Sequence, residues 1–261
     1  MSWYLVPYHI VAHIQPTVNG GTITPGWPVG NICAFSPTKG TKWTAASLDL
    51  IWDRTGADHK SFNAIIVSHH NLSTGTHRVY ADSASTPTTA LYSAQTFASN
   101  APVLYPWSTP NSSRYVRVVL SPTSGECGFV SLCRAYDVGR PMRGASYGSG
   151  GPGAQSLSPS GDMDESGMVL GSGSVSATFL NVARATGLLI RDDFSQAHAE
   201  QATGYAQYAL GGAGGAAPIA LWDDDSGRLW YGYGSVTVNE TTPGKTSISV
   251  QILDWPYGAF L

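Results

Sequence analysis

The sequence predicts a mainly β protein that begins with a β-sandwich, and three observations lead to this prediction. Short runs rich in Val, Ile, Tyr and Phe recur through the first half, each bounded by Gly, Pro, Ser or Asn. No strong amphipathic helix interrupts these runs. Hydrophobic residues make up 42% of the 261 residues, which is enough for one large β domain or two ordinary ones.

Five runs of strand length define the predicted sandwich. They are SLDLIW (47–52), FNAIIVSH (62–69), HRVYAD (77–82), RYVRVVL (114–120) and GFVSLCRAY (128–136). The fourth run alternates most clearly, so Tyr115, Arg117 and Val119 are expected on one face and the residues between them on the other. Regular strands separated by turn signals are typical of a β-sandwich. The predicted first domain, with its N-terminal extension, is 1–142.

A segment dense in Gly, Ser and Pro follows this domain. Residues 143–174 bury too little apolar surface to fold alone, so we predict a linker or an arm that reaches a neighbouring subunit. Both alternatives stay open.

The remainder, 175–261, is predicted to be a β-rich assembly domain with one helix. It begins with the alternating run SVSATFL, and the strongest helical signal of the chain lies at 187–210. A hairpin is expected around the turn sequence DDDSG (223–227), followed by a final strand at 245–255.

Charge and the N-terminus exclude several functional classes. Charged residues are 12% of the chain, about half the usual share for a soluble domain. Such a surface suits burial by neighbouring subunits, although a neutral-surfaced monomer stays possible. The net charge of −3 provides no basic footprint for nucleic acid, and no run of about 18 apolar residues could span a bilayer. The N-terminus lacks the basic region of a signal peptide.

The cysteines show no metal-binding spacing. Cys33, Cys127 and Cys133 are an odd set, and the last two flank an apolar run where buried free thiols are common. A Cys127–Cys133 disulfide is the less favoured alternative, because synthesis in a reducing compartment is expected.

Candidate metal and catalytic residues each have a simpler structural interpretation. His69, His70 and Asn71 follow a strand, but adjacent residues of a strand point to opposite faces and do not form a chelating pair. Asp223 and Asp225 resemble part of a calcium loop but lack its downstream glutamate, and a hairpin needs a polar turn there.

Asp162, Asp164 and Glu165 could supply the paired carboxylates of a glycosidase, yet they lie in the Gly-rich segment, where no rigid scaffold holds them. Phosphate-binding loops are absent from the sequence. We therefore expect no enzymatic activity and no cofactor.

The aromatic residues offer a different kind of site. Trp43 and Trp52 are expected in the core. Tyr105 and Trp107 lie in LYPWSTPN, which reads as a loop, where they could stack on a sugar ring, anchor an interface or simply pack. His69, His70 and Asn71 are further candidates for glycan or interface contacts.

Four motifs in 25–142 carry a resemblance to a known family. They are LDL (48–50), AIIVSHHNL (64–72), RYVRV (114–118) and GRPM (139–142). Their order resembles the discoidin, or galactose-binding-like, sandwich found in minor tail proteins of tailed phages. The C-terminal layout resembles tail-tube-like domains. The sugar-binding and calcium-binding loop residues of lectin-like relatives have no counterpart here, which leaves glycan binding open.

The resemblance implies a structural protein of the phage tail, in the distal tail, baseplate or tail tip, made in the host cytoplasm and carried in the virion. Its expected partners are copies of itself in a ring, other tail proteins of the tube, hub or tape-measure end, and a host surface glycan. The alternative function is a carbohydrate-binding adhesion module. A hydrolase of cell-wall or capsule polymers is the third hypothesis.

Overall fold

The computed structural model describes residues 3–6, 14–33, 40–54, 61–139, 146–147, 173–180, 219–242 and 245–254. These residues form fifteen strands and one short 3-10 helix, which confirms the mainly β fold class. The strands are β1 Trp3–Val6, β2 Thr17–Ile23, β3 Thr41–Asp53, β4 Phe62–His70, β5 Thr76–Asp82, β6 Gln95–Thr96, β7 Val103–Asn111, β8 Tyr115–Leu120, β9 Gly125–Cys133, β10 Tyr136–Gly139, β11 Ser146–Tyr147, β12 Gly173–Leu180, β13 Ile219–Asp223, β14 Arg228–Thr242 and β15 Lys245–Asp254; the helix η1 spans Val29–Cys33.

The strands group into two compact units. The first, formed by β2–β9, is a curled antiparallel sheet in the order β6-β5-β8-β3-β9-β4-β7, with β2 added beside β3. Strand β3 belongs to both layers of the sandwich, because Thr41–Trp43 pair with β9 and Leu48–Asp53 pair with β8. Ala45, between the two pairing segments, has a φ of 73°, a left-handed conformation that marks the corner of the sheet.

The core of this unit follows the alternation predicted from the sequence. In β8 the residues between Tyr115, Arg117 and Val119 are buried and the three named residues are half-buried on the outer face, which confirms the predicted alternation. Trp43 and Trp52 lie in the core as expected, and their indole N–H groups donate to the carbonyls of Pro122 and Ile14 at 3.1 and 2.9 Å. Each fully buried aliphatic or Phe side chain contributes about 1.5–3 kcal/mol.

Two predicted boundaries need correction. LYPWSTPN is not a loop but part of β7, which pairs only with β4 among the described strands. Pro106 and Pro110 hid this strand in the sequence, yet an edge strand tolerates residues without an N–H. The run 128–136 is also not one strand: β9 ends at Cys133, and Tyr136 begins β10 in the other unit.

The second unit is a sheet in the order β10-β1-β13-β14-β15-β12-β11. The predicted hairpin is present, with Asp223 opposite Arg228 across the turn, and the predicted strands at β12 and β15 are confirmed. Strand β1 lies between β10 and β13, so this sheet contains strands from both sides of the predicted boundary at residue 142. Most of the proposed arm, 148–172, and the predicted helix at 187–210 lie outside the described residues.

All three cysteines are buried free thiols. Cys127 and Cys133 lie on the same strand, where six residues span about 20 Å, so they cannot form a disulfide. Burial raises the pKa of Cys33 and of Cys127 to about 12, which keeps both thiols protonated and unreactive. Within the described part of the chain, no helix has the length and apolar character needed to cross a membrane.

Gly125 is expected to be essential to the packing at the start of β9. A Cβ at this position would lie 2.6 Å from both Trp43 Cζ2 and Leu72 Cδ2, and both side chains are fully buried. We expect Gly125→Ala to lower the free energy of unfolding by about 1–3 kcal/mol, the usual cost of overpacking. Urea denaturation measures this change.

Gly30→Ala is the matched control. A Cβ at Gly30 would meet its nearest atom, Oε1 of Gln15, at 3.6 Å, an ordinary contact. The control is expected to change stability by no more than about 0.5 kcal/mol. Equal stabilities of the two variants would contradict the packing argument.

Candidate binding site

Five aromatic rings meet where the curled sheet closes on itself. We call Phe62, His77, Tyr92, Tyr105 and Trp107 the aromatic cluster. The Tyr92 ring lies 4.6 Å from that of Tyr105 and 5.5 Å from that of Trp107, measured between centroids. His77 of β5 contacts Tyr105 of β7 at 5.6 Å, and Phe62 meets Trp107 edge-on at 5.8 Å. Such pairs contribute about 0.5–1.5 kcal/mol each beyond the area that they bury.

The aromatic cluster is closed on one side and open on the other. Phe62 and His77 are buried, whereas Tyr92, Tyr105 and Trp107 are half-buried. Residues 105 and 107 share one face of β7 because side chains of a strand alternate. The three half-buried rings therefore form an aromatic patch at the surface, backed by the core.

The polar atoms of the cluster differ in whether they have a hydrogen-bond partner. The Tyr92 hydroxyl and His77 Nδ1 form a hydrogen bond of 2.8 Å. The Trp107 indole nitrogen is covered by protein atoms and has no hydrogen-bond partner in the described structure. A covered donor without an acceptor costs about 1–3 kcal/mol of stability.

The strand-end residues singled out in the sequence serve the turn after β4. His70 donates from Nε2 to the Ala101 carbonyl at 3.0 Å and accepts at Nδ1 from the Leu72 N–H at 3.2 Å, which fixes its tautomer. Asn71 Oδ1 accepts from the Glu126 N–H at 2.8 Å.

His69, with a φ of 51°, has its Nδ1 2.9 Å from the hydroxyl of Ser68. Both histidines are buried, and neither belongs to the aromatic cluster. The ring of Phe97 lies 4.7 Å from that of His70 and 5.0 Å from that of His77.

The acidic candidates from the sequence either belong to a hairpin turn or lie outside the described residues. The Asp223 carboxylate accepts from the Asp225 N–H at 3.1 Å and from the Ser226 hydroxyl at 2.7 Å, so it stabilises the hairpin turn. Among the described residues, no group of three His, Cys, Asp or Glu side chains could hold a metal ion. Asp162, Asp164 and Glu165 lie outside the described residues.

Burial keeps the histidines beside the patch neutral. Desolvation lowers the pKa of His77 from 6.5 to about 4, with a smaller contribution from His70. Desolvation likewise lowers the pKa of His70 to about 4. It raises the pKa of Tyr92 far above its usual value of 10.0. At neutral pH, His77 and Tyr92 therefore contribute shape and hydrogen bonding but no charge.

Sequence reasoning identified Tyr105 and Trp107 but missed His77 and Tyr92. His77 occupies an inward position of the alternating run THRVYAD, a signal that could have placed it in the interior. Tyr92 lies outside the named strands, in the segment between β5 and β6, where no periodicity indicates which way a side chain points.

Comparison with known proteins finds likenesses only among solved structures. Neither the protein-family models nor the curated proteins include a match. The CBM32 module of AlyQ, in complex with 4,5-unsaturated mannuronic acid, is 19% identical, with a TM-score of 0.37; the match covers 51% of this chain and 97% of the module.

Chitosan-binding module 1 of a chitosanase/glucanase from Paenibacillus sp. IK-5 is 17% identical, with a TM-score of 0.38, over 48% of this chain and 98% of the module. The module CpGH89CBM32-5 from Clostridium perfringens, in complex with GalNAc-β-1,3-galactose, is 7% identical, with a TM-score of 0.40, over 49% of this chain and 98% of the module. Each of these matches spans about half of this chain.

The neutral histidines predict a loss of stability in acid. Between the folded pKa of about 4 and the unfolded value of 6.5, the unfolded chain binds protons at His70 and His77 that the folded chain does not. The free energy of unfolding is therefore highest above pH 6.5, falls as the pH drops, and levels off below about pH 4. At about pH 4.5 the expected loss is about 2 kcal/mol for each histidine.

Urea denaturation at pH 7 and at about pH 4.5 measures this loss. Protonated carboxylates also destabilise in acid, so His77→Phe isolates the contribution of one histidine. This variant is expected to be less stable at pH 7, because the Tyr92 hydroxyl loses its partner, yet to lose less stability on acidification. An unchanged acid dependence in the variant would contradict the assignment.

Proposed function

We propose that the unit formed by β2–β9 is a non-catalytic carbohydrate-binding module whose contact surface is the aromatic patch. The observation that carries the proposal is the arrangement of Tyr92, Tyr105 and Trp107, which lie side by side at the surface and are fixed from behind by Phe62 and His77.

The chemistry of sugars suits this patch. A pyranose ring has an apolar C–H face that packs on an aromatic ring, and a rim of hydroxyls that need hydrogen-bond partners. A preformed patch also keeps the entropic cost of binding low.

The proposal includes no bond-breaking step. Catalysis by general acid and base requires titratable groups free to exchange protons near the operating pH. Both ring nitrogens of His70 are engaged by the backbone, and the pKa of His77 lies near 4. We therefore propose that the unit retains a glycan without cleaving it.

Trp107 is the residue that tests the proposal. In native affinity electrophoresis through gels containing galactan, mannan, chitosan or polygalacturonate, we expect the full chain to be retarded by at least one polymer. Trp107→Ala should weaken that retardation at least about ten-fold, as for a central aromatic contact. Trp107→Phe keeps an aromatic ring at this position and should weaken binding less than Trp107→Ala.

Trp27→Ala is the matched control. Trp27 is also half-buried, but the Nζ of Lys42 lies 3.7 Å from the centroid of its ring and occupies one face. The control is expected to bind like the native chain. The proposal fails if no polymer retards the native chain. It also fails if Trp107→Ala binds like the native chain.

An assembly role is our second proposal. It is supported by the low share of charged residues, 12%, and by the phage-tail motifs of the first half. In this proposal the protein is a component of a virion tail that forms a symmetric oligomer, and a glycan-binding patch on such a component would face the host.

Light scattering coupled to size-exclusion chromatography tests the assembly role. An oligomer of fixed stoichiometry at micromolar concentration is the expected result. A monomer at every concentration tested would argue against self-assembly and would leave the carbohydrate-binding proposal unaffected.

A further inference from the structure

Arg78, on the outer face of β5, differs from two nearby arginines: Arg117 on the same face of β8, and Arg114, which directly precedes β8. Arg117 pairs with Asp49 through two hydrogen bonds of 2.8 Å, and Arg114 pairs with Asp53 through bonds of 2.8 and 2.9 Å. Arg78, on the same face, has no carboxylate partner in the described structure. One positive charge of this face is therefore left without a counter-charge.

The Arg78 side chain is held in place by two contacts. Its Nε donates to the Tyr92 carbonyl at 3.2 Å, and its guanidinium carbon lies 5.0 Å from the centroid of the Tyr80 ring. Arg117 lies 5.1 Å from the same ring, so Tyr80 contacts both guanidinium groups. These contacts leave the two terminal nitrogens of Arg78 free to donate.

Tyr92 connects this arginine to the aromatic patch. Its ring belongs to the patch, and its carbonyl accepts the hydrogen bond from Arg78. A saccharide packed on the patch could therefore extend across Tyr92 toward the Arg78 guanidinium. Among the described residues, no hydrogen bond or ion pair joins a carboxylate to Arg78.

We infer that Arg78 binds the carboxylate of an acidic saccharide, so that the module takes a uronic-acid polymer. This inference rests on the proposed carbohydrate-binding function and names its substrate class. The planar guanidinium fork matches the two oxygens of a carboxylate, and this face already forms that pairing twice within the protein. Arg78 would form the third arginine–carboxylate pair of this face, with the carboxylate supplied by the ligand.

Comparing an acidic polymer with its uncharged methyl ester tests the inference. Full-length protein is run in affinity electrophoresis at pH 7 and fixed ionic strength, with polygalacturonate or alginate in the gel, each beside its methyl ester. The ester keeps the sugar backbone and removes the charge. We expect the native chain to bind at least one acid form about ten-fold more tightly than its ester, the usual effect of one charged hydrogen-bonded contact.

Arg78→Met should abolish this preference, and Arg114→Met is the matched control. Both substitutions remove one positive charge from the same face, but Arg114 is already paired with Asp53. The control should keep the preference. For both variants, a midpoint of thermal unfolding close to that of the native chain verifies that they are folded.

The outcomes separate this inference from the function on which it rests. Equal binding of acid and ester by the native chain, with binding lost in Trp107→Ala, would overturn the role of Arg78 and leave the module intact. An equal loss in Arg78→Met and Arg114→Met would also overturn it, since it would indicate a general charge effect. Retardation by no polymer would refute the proposed function itself.

Discussion

The structure of the first unit depends on the corner in β3. A strand that pairs with β8 along one half and with β9 along the other must turn between them, and Ala45 absorbs that turn in a left-handed conformation. The corner curls one continuous sheet into two layers, so that the far strands β5 and β7 approach each other. The aromatic cluster forms at this closure, where His77 of one strand contacts Tyr105 of the other.

Closing a sheet with aromatic side chains has a chemical consequence. Edge strands usually avoid exposing unpaired backbone by pairing, twisting or being covered. Here, large rings cover the seam, and some of them remain half-buried because nothing in the described unit lies over them. The same packing excludes water from His77 and lowers its pKa, so the patch is uncharged on its inner side. The aromatic patch thus arises from the way in which the fold closes.

Much of this fold could be predicted from the sequence, because alternating apolar residues indicate buried strands directly. The alternation in RYVRVVL and the turn at DDDSG were sufficient to place β8 and the β13–β14 hairpin. What could not be predicted depends on tertiary contacts. The prolines of β7 concealed this strand in the sequence. A strand tolerates proline at the edge of a sheet, and edge position is decided by tertiary contacts. The short run WYLV in β1 likewise carries no signal of which sheet it joins.

The site was only half predictable for the same reason. Tyr105 and Trp107 drew attention as exposed aromatics, and they do lie at the surface, but on a strand rather than a loop. His69 and His70 drew attention as a histidine pair after a strand, yet they are the last two residues of β4 and are engaged by Ser68 and by the backbone of Ala101 and Leu72. Position after a strand indicates where functional residues often occur, whereas hydrogen-bond partners decide whether the side chains are still available.

The low charge of the chain fits both a glycan-binding module and an assembly component, and the pairing of its charges distinguishes the two. A surface covered by protein neighbours must neutralise every charge that it buries, because an unpaired buried charge costs far more than an exposed one. Asp49 and Asp53 neutralise Arg117 and Arg114 in this way on the outer face of the sandwich. Because Arg78 on that face has no carboxylate partner, its charge costs little free energy only while it is solvated or binds an anion. The outer face near Arg78 is therefore better suited to water and an acidic ligand than to an apolar neighbour.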